Sequence, residues 1–184
     1  MQSADAIVAL LRGVVGSFIL HHALLELRWT RNGHTGTACV SVNGHAGDLS
    51  RMIGKQGRTF KALSELVRMA GEREGLNVML SKLPTANKAD RDRYPAFALQ
   101  RDWPKDEVRT LAGKMAIACL RTHAVMVDIE DLSESDSLVT VRVQPGNRPA
   151  DVDRFAEACK VLVAAAGAKL GRVLHTGVKS NLTF

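Results

Sequence analysis

Apolar residues in the first part of the chain follow a helical period and then an alternating one. Residues 5–20 carry one apolar helical stripe, formed by Ile7, Leu10, Leu11, Val14, Val15 and Phe18, which predicts an amphipathic helix. Apolar and polar residues then alternate over 24–30, where Trp29 falls on the apolar face, and again over 37–43. Both stretches predict half-buried strands. Residues 31–36 contain the hairpin signal Asn-Gly and join them.

A glycine loop divides the next helical stretch. We predict a short helix over 49–53, capped by Asp48, and then the loop Gly-Lys-Gln-Gly at 54–57. A longer helix follows, with an apolar stripe of Phe60, Leu63, Leu66, Val67 and Ala70, and Gly71 and Gly75 close it. A third strand is predicted at residues 76–80.

The second half repeats this order after an irregular segment. Three prolines and a mixed-charge run mark residues 84–104 as a linker, with Tyr94, Phe97 and Trp103 as candidate anchors. Beyond it the periods predict a helix, two strands, a helix and a strand, over 105–121, 125–129, 139–143, 150–169 and 172–178.

An internal repeat relates the two halves. A shift of 96 residues superposes like residues of the long helices: Arg58 on Arg154, Ala62 on Ala158, Leu66 on Leu162, Val67 on Val163, Gly71 on Gly167 and Gly75 on Gly171. The preceding strands need a shift of 101, which brings Val42 onto Val143, so the second copy is five residues shorter where the first has its glycine loop. We predict an α+β fold of two duplicated units; chance similarity of two small units is the alternative.

Composition narrows the class of protein. Hydrophobic residues make up 46% of the 184, which excludes global disorder, and the net charge of +6 favours polyanionic partners. Residues 1–83 hold 10 Lys/Arg and 6 Asp/Glu, against 11 and 10 in residues 105–184. The first half is therefore the expected polyanion-binding surface. Three scattered cysteines and a start without the basic region of a signal peptide predict a cytoplasmic protein, and the apolar runs are too short for a membrane span.

The glycine loop has a pattern suited to phosphate. Glycines allow a tight turn and a close approach of ligand to backbone, and the start of a helix offers unpaired N–H groups and a favourable dipole. Lys55, Arg58 and Lys61 add positive charge there. A tight turn between two helices, without ligand, is the alternative interpretation.

The segment from Arg51 to Leu63, RMIGKQGRTFKAL, resembles the core of bacterial KH domains of type II, above all the small stand-alone RNA-binding members. The resemblance covers about residues 4–82. It implies that the loop clamps about four nucleotides of single-stranded RNA. The candidate RNA-binding residues are then Arg51, Ile53, Gly54, Lys55, Gln56, Gly57, Arg58 and Lys61, with Arg31 and Asn32 on the opposite rim.

The resemblance also implies a domain plan. Two KH-like αββαα(β) units are expected, each a three-stranded sheet covered on one face by helices. Residues 1–83 would be a KH domain, 84–104 a linker, and 105–184 a degenerate copy without the loop. The family's small members stop near the third strand, so the last 100 residues depart from the pattern.

The second copy is not expected to bind RNA. Its helix begins with Pro149, and Asp151 and Asp153 in the first turn suit a stable helix start but repel phosphate. Three roles stay open for this half: packing on the first copy, forming a homodimer, or docking a partner such as another RNA-binding protein.

We find no sequence motif for nucleotide hydrolysis or for metal binding. GKQGRT lacks the spacing of a nucleotide-hydrolase loop. His21, His22, His34, His45, His123 and His175 show no metal-ligand spacing, and His21 and His22 are expected to cap the first helix. We therefore predict no enzyme activity, metal or cofactor. The predicted function is binding of single-stranded RNA, ribosomal or small; a protein-interaction scaffold without RNA binding is the alternative.

Overall fold

Two three-stranded mixed sheets organise the chain. The computed structural model describes residues 2–33, 35, 37–81 and 103–181. Within these residues, five helices accompany the two sheets. The predicted α+β fold of two units is confirmed.

The first unit has the element order αββααβ. Its elements are α1 (Gln2–Gly16), β1 (Glu26–Arg31), β2 (Ala38–Asn43), α2 (Ala46–Ile53), α3 (Arg58–Arg73) and β3 (Val78–Leu80). Strands β1 and β2 are antiparallel, while β3 runs parallel to β2. The parallel return is possible because α2 and α3 carry the chain back across the sheet.

The second unit repeats this topology without a counterpart of α2. Its elements are α4 (Lys105–Cys119), β4 (Val125–Asp131), β5 (Asp136–Val143), α5 (Pro149–Lys169) and β6 (Val173–Lys179). Strand β4 is antiparallel to β5, and β6 is parallel to β5. Only five residues separate β5 from α5, whereas α2 and the glycine loop lie between β2 and α3.

The predicted apolar stripes form the core. Leu11, Val15 and Phe18 of the first helical stretch are almost fully buried, and Trp29 is half-buried and packs against the core. Trp103 is 6% exposed, with the Arg172 guanidinium 5.0 Å from its ring centre. Residues 84–102 of the predicted linker, with Tyr94 and Phe97, lie outside the described residues. No helix in the described ranges is long and apolar enough to cross a membrane.

The two copies end their long helices in the same way. Gly75 and Gly171 have φ of 70° and 67°. In the first copy the amide of Leu76 donates to the carbonyl of Gly71 at 2.8 Å, and the amide of Arg172 donates to Gly167 at 2.9 Å in the second. All these pairs are related by the shift of 96, so the local geometry repeats along with the sequence.

The strand registers correct the sequence alignment. Ala38 pairs with Val78, and Ser137 pairs with Leu174. Since Val78 and Leu174 are 96 residues apart, β2 and β5 correspond with a shift of 99 rather than 101. Changing the alignment of the two strands by two residues keeps the same face of each strand buried, so the alternation of apolar residues alone does not determine the shift.

A helix glycine in each copy lets the following strand pack closely. A Cβ added to Gly71 would lie 2.5 Å from Val78 Cγ2, and one added to Gly167 would lie 2.6 Å from Leu174 Cγ. We expect Gly71→Ala to lower the free energy of unfolding by about 1–3 kcal/mol, because the helix must move off the sheet. Gly13→Ala is the control, since nothing lies within 4 Å of its added Cβ. Urea unfolding of both variants checks this; equal stabilities would contradict the close packing.

An ion-pair network joins α3 to α5. The Arg154 guanidinium donates to Glu65 and, at 3.1 Å from Nη2, to Glu72, both on α3. It also contacts Asp151 on its own helix at 3.3 Å. The thiol of Cys119 on α4 donates to the Leu66 carbonyl at 3.6 Å. The second copy therefore packs on the first, one of the three roles left open by the sequence.

Loss of Arg154 is expected to weaken this contact in a pH-dependent way. Burial alone raises the pKa of Glu65, but hydrogen bonds from Arg154 and Arg68 outweigh it, so the pKa lies below the ordinary 4.5. The ion pair between Glu65 and Arg154 therefore stabilises the fold above about pH 4.5, and this stabilisation is lost as the pH falls through the lowered pKa of Glu65. Arg154→Ala should cost about 1–2 kcal/mol at pH 7.

Thermal unfolding between pH 7 and pH 3 measures this effect. The difference between wild type and Arg154→Ala should shrink as the solution becomes acidic. Arg148→Ala is the matched control, because that side chain is 79% exposed and pairs with Asp151 on its own helix; it should cost under about 0.5 kcal/mol. Equal losses for the two arginines would contradict the role of the network.

Candidate nucleic-acid interface

The loop between α2 and α3 holds three residues with positive φ. Gly54 has φ 70° and ψ 178°, Gln56 has φ 56° and ψ 26°, and Gly57 has φ 73° and ψ 12°. Gln56 is the one residue other than glycine with a positive φ in the described part of the chain. Such a series turns the backbone tightly between two helices, and it is unusual for side chains other than glycine, asparagine or aspartate.

The two glycines are needed for different reasons. A Cβ on Gly54 would lie 2.2 Å from Thr59 Oγ1 and 2.8 Å from Thr59 Cβ, and Thr59 is 7% exposed. Nothing lies within 4 Å of a Cβ built on Gly57. Gly54 is therefore required by both contact and conformation, and Gly57 by conformation alone.

The loop presents backbone donors at the start of α3. The amide of Gly54 donates to the Ser50 carbonyl at 2.9 Å, and that of Gly57 to the Gly54 carbonyl at 3.2 Å. The first amides of a helix lack acceptors within that helix, and no described side chain caps α3. These amides are available to an external acceptor.

The charges at this helix start suit an anion. Lys55, Arg58 and Lys61 are exposed, and the first turn of α3 contains no acidic residue. Arg58 donates to Gln56 Oε1 at 3.3 Å. Cations at a helix N-terminus oppose its dipole, so this arrangement does not favour the isolated helix. A bound phosphate would reverse the sign of the interaction.

Arg51 and Ile53 have structural contacts as well as a position beside the loop. Both are half-buried. Arg51 Nη1 donates to the Phe18 carbonyl at 3.3 Å, which ties α2 to the segment after α1. Ile53 packs against the core. These two residues fix the loop to the body of the domain.

The remaining predicted residues lie on another element. Arg31 ends β1, and Asn32 begins the turn, where its Oδ1 accepts the Thr35 amide at 3.3 Å. Both are exposed. The cavity they line contains no loop residue; it is formed by Thr30, Arg31, Asn32, Thr35, Thr37, Cys39 and Met79. The structure thus does not bring the two predicted rims into one cavity.

Comparisons of the chain with protein-family models, curated proteins and solved structures found no match. The interpretation of the site therefore depends on its own geometry and chemistry.

The corresponding place in the second copy has a different charge arrangement. Arg154, which the repeat equates with Arg58, is directed into the contact with Glu65 and Glu72. At the start of α5, Arg148 donates to Asp151 at 2.8 Å, and this hydrogen bond lowers the pKa of Asp151. The basic group is neutralised within the protein, and a carboxylate occupies the first turn.

Two buried cysteines do not form a nucleophilic site. Cys119 and Cys159 are free thiols in the core. Burial raises the pKa of Cys159 to about 12 and raises that of Cys119 as well. Since the thiolate is the reactive form, these side chains act as core residues.

A second polar cluster, not predicted from the sequence, lies at the other end of α2. His45, not Asp48, caps this helix, and its Nδ1 accepts the Gly47 amide at 3.2 Å. Asp48 is buried inside the helix, and its carboxylate accepts the amides of Leu20 and His21 at 2.9 Å each.

The imidazole of His21 is also directed to this carboxylate rather than to the end of α1, with Nδ1 3.1 Å from Asp48 Oδ2. His21, His45 and Asp48 thus come together in space, with one possible ligand atom of each within 4.8 Å of the others, although their positions in the sequence show no metal-ligand spacing. Two of these residues lie 27 positions apart, on either side of a hairpin, and no spacing rule would have found them.

Proposed function

We propose that this protein binds single-stranded RNA through the loop at residues 54–57, as a KH-like domain of type II. The observation that carries the proposal is the helix start itself. Three positive-φ residues form the turn before α3, no side chain caps that helix, and its first turn has three exposed basic side chains beside it and no acidic residue.

The loop would act on the sugar-phosphate backbone. The Lys55 and Gln56 amides and the first turn of α3 would donate to phosphate oxygens, while Lys55, Arg58 and Lys61 balance the charge. Such contacts position a strand without reading its sequence. Base edges would meet the apolar surface near Ile53, and Arg31 and Asn32 would contact the strand further along. Sequence preference should be modest.

Two features of the fold support the KH assignment. The order αββααβ and the three-stranded sheet of the first unit agree with what the resemblance implies. The helix–loop–helix stands where that arrangement needs it, after the second strand. The assignment gives residues 1–83 as the KH domain and 84–104 as a linker.

The second copy, residues 105–184, would brace the first rather than bind RNA. Its helix α5 packs along α3, and its equivalent of Arg58 is used in that contact. A homodimer or a partner RNA-binding protein would then use the remaining surface of this half. No catalytic role is proposed for either copy.

Titration with short oligonucleotides tests the proposal. A labelled single-stranded 10-mer should bind, and a duplex of the same sequence should bind more weakly, because the KH resemblance implies a groove that holds one strand. Neutralisation of two or three phosphates predicts a slope of log K against log salt of about −1.4 to −2. Absence of binding at low salt would favour the scaffold alternative, and equal binding to duplex would indicate nonspecific attraction to a basic surface.

A further inference from the structure

We propose that His21, His45 and Asp48 form a binding site for a divalent transition-metal ion, most suited to Zn²⁺, at the junction of α1 and α2. One ligand atom from each residue lies within 4.8 Å of the other two. Two imidazole nitrogens and one carboxylate oxygen are a donor set found in zinc sites with an open fourth position. This proposal is independent of RNA binding.

The carboxylate is already fixed in place. Asp48 is 3% exposed, and its two oxygens accept the backbone amides of Leu20 and His21. Hydrogen bonds to a ligand carboxylate orient it and reduce the freedom lost when a metal binds. The carboxylate is rigid, and the two imidazoles are the parts that must adjust.

The histidines are placed to make that adjustment. Their ring centres lie 4.0 Å apart with 33° between the planes, and both residues are exposed. Zinc–nitrogen and zinc–oxygen bonds of about 2.0–2.2 Å require ligand atoms about 3.4 Å apart, so rotations of the exposed rings would close the site. The open side would hold water.

The donor set selects the class of metal. Imidazole suits zinc, copper and nickel, whereas Mg²⁺ and Ca²⁺ require mainly oxygen ligands. A single carboxylate leaves a zinc site with a charge of +1, and Lys169 and Arg51 lie close enough to influence the local charge. These cations favour a moderate affinity rather than a very tight site.

Metal binding would compete with one existing hydrogen bond. His45 Nδ1 accepts the Gly47 amide, which places the ring proton on Nε2. Coordination through either nitrogen changes that state, so the metal would replace the side-chain cap of α2. It would exchange a cap for a direct link between α2 and the segment that follows α1.

Isothermal titration of the chelator-treated, tag-free full chain with ZnCl₂ tests the proposal. Wild type should bind one Zn²⁺, with no comparable response to MgCl₂. The variant His21→Ala/His45→Ser removes both imidazoles, while serine keeps a capping side chain and the backbone amide of residue 21 remains. Its affinity should fall by at least about 100-fold, beyond the range seen for losing an indirect partner of a ligand.

His22→Ala/His123→Ala is the matched control, because it removes two other exposed histidines. It should bind Zn²⁺ as wild type does. Circular dichroism of each variant checks folding. Lack of saturable Zn²⁺ binding by wild type would overturn the proposal. Equal affinities in wild type and the first double variant would overturn it too, since the metal would then lie elsewhere.

Discussion

Lys55→Asp/Gln56→Asp is expected to abolish binding to single-stranded RNA while leaving the fold intact. Both side chains are exposed. Gln56 lies in the left-handed region at φ 56°, which aspartate tolerates better than most residues. The change adds two negative charges and removes one positive charge where phosphate would sit, a net change of −3. Charged hydrogen bonds are worth about 1.5–3 kcal/mol each, so losing the Lys55 contact and adding repulsion should weaken binding at least about 30-fold.

The matched control places the same charge change on another helix. Lys160 and Ala164 are exposed one turn apart on α5, and Lys160→Asp/Ala164→Asp also alters the net charge by −3. It should weaken binding only by the general electrostatic effect, a few-fold at low salt. Fluorescence anisotropy with a labelled oligonucleotide compares the two. Similar losses in both variants would mean that overall charge, and not the loop, attracts RNA.

Gly54→Ala should produce the largest loss of stability in the loop. The substitution places a side chain at φ 70° and a Cβ 2.2 Å from Thr59 Oγ1. With ψ at 178°, Gly54 lies in a region that residues other than glycine rarely adopt, so backbone strain of about 1–3 kcal/mol and overpacking of about 1–3 kcal/mol together predict a loss near 3 kcal/mol. Gly57→Ala shares the positive φ but meets no neighbour, so it should cost about 1–2 kcal/mol.

A double-mutant cycle separates contact from conformation. Thr59→Ala removes Oγ1, the nearest atom, so Gly54→Ala should cost less in that background than in wild type. Urea unfolding of the four proteins measures the difference. Additive losses would show that the backbone angle alone accounts for the effect and that the contact with Thr59 does not.

Most of the secondary structure could be predicted from local patterns of apolar and polar residues. The helical stripe of α1 and the alternation of β1 and β2 were recognisable because each element has one buried face. The start of α2 was placed three residues late, because Asp48 is a common capping residue and His45 is not. Asp48 instead accepts two amides from a distant part of the chain, a tertiary contact that no local rule contains.

The candidate site also has a part that could be predicted from the sequence and a part that could not. The loop was predictable, because two glycines beside basic residues lie within one short segment. The anchoring of Arg51 to the Phe18 carbonyl and the use of Arg154 between the two copies were not, since both depend on how helices pack. The expected convergence of Arg31 with the loop was drawn from the resemblance, and the structure does not place the two in one cavity.

Binding of RNA by the loop can be followed through the amide chemical shifts of the ¹⁵N-labelled protein while a single-stranded RNA 10-mer is added. We expect the largest changes at the amides of residues 54–58, with smaller ones along the start of α3 and little change in α5. Shifts spread evenly over basic surface residues, or confined to residues 105–181 with the loop unmoved, would contradict it.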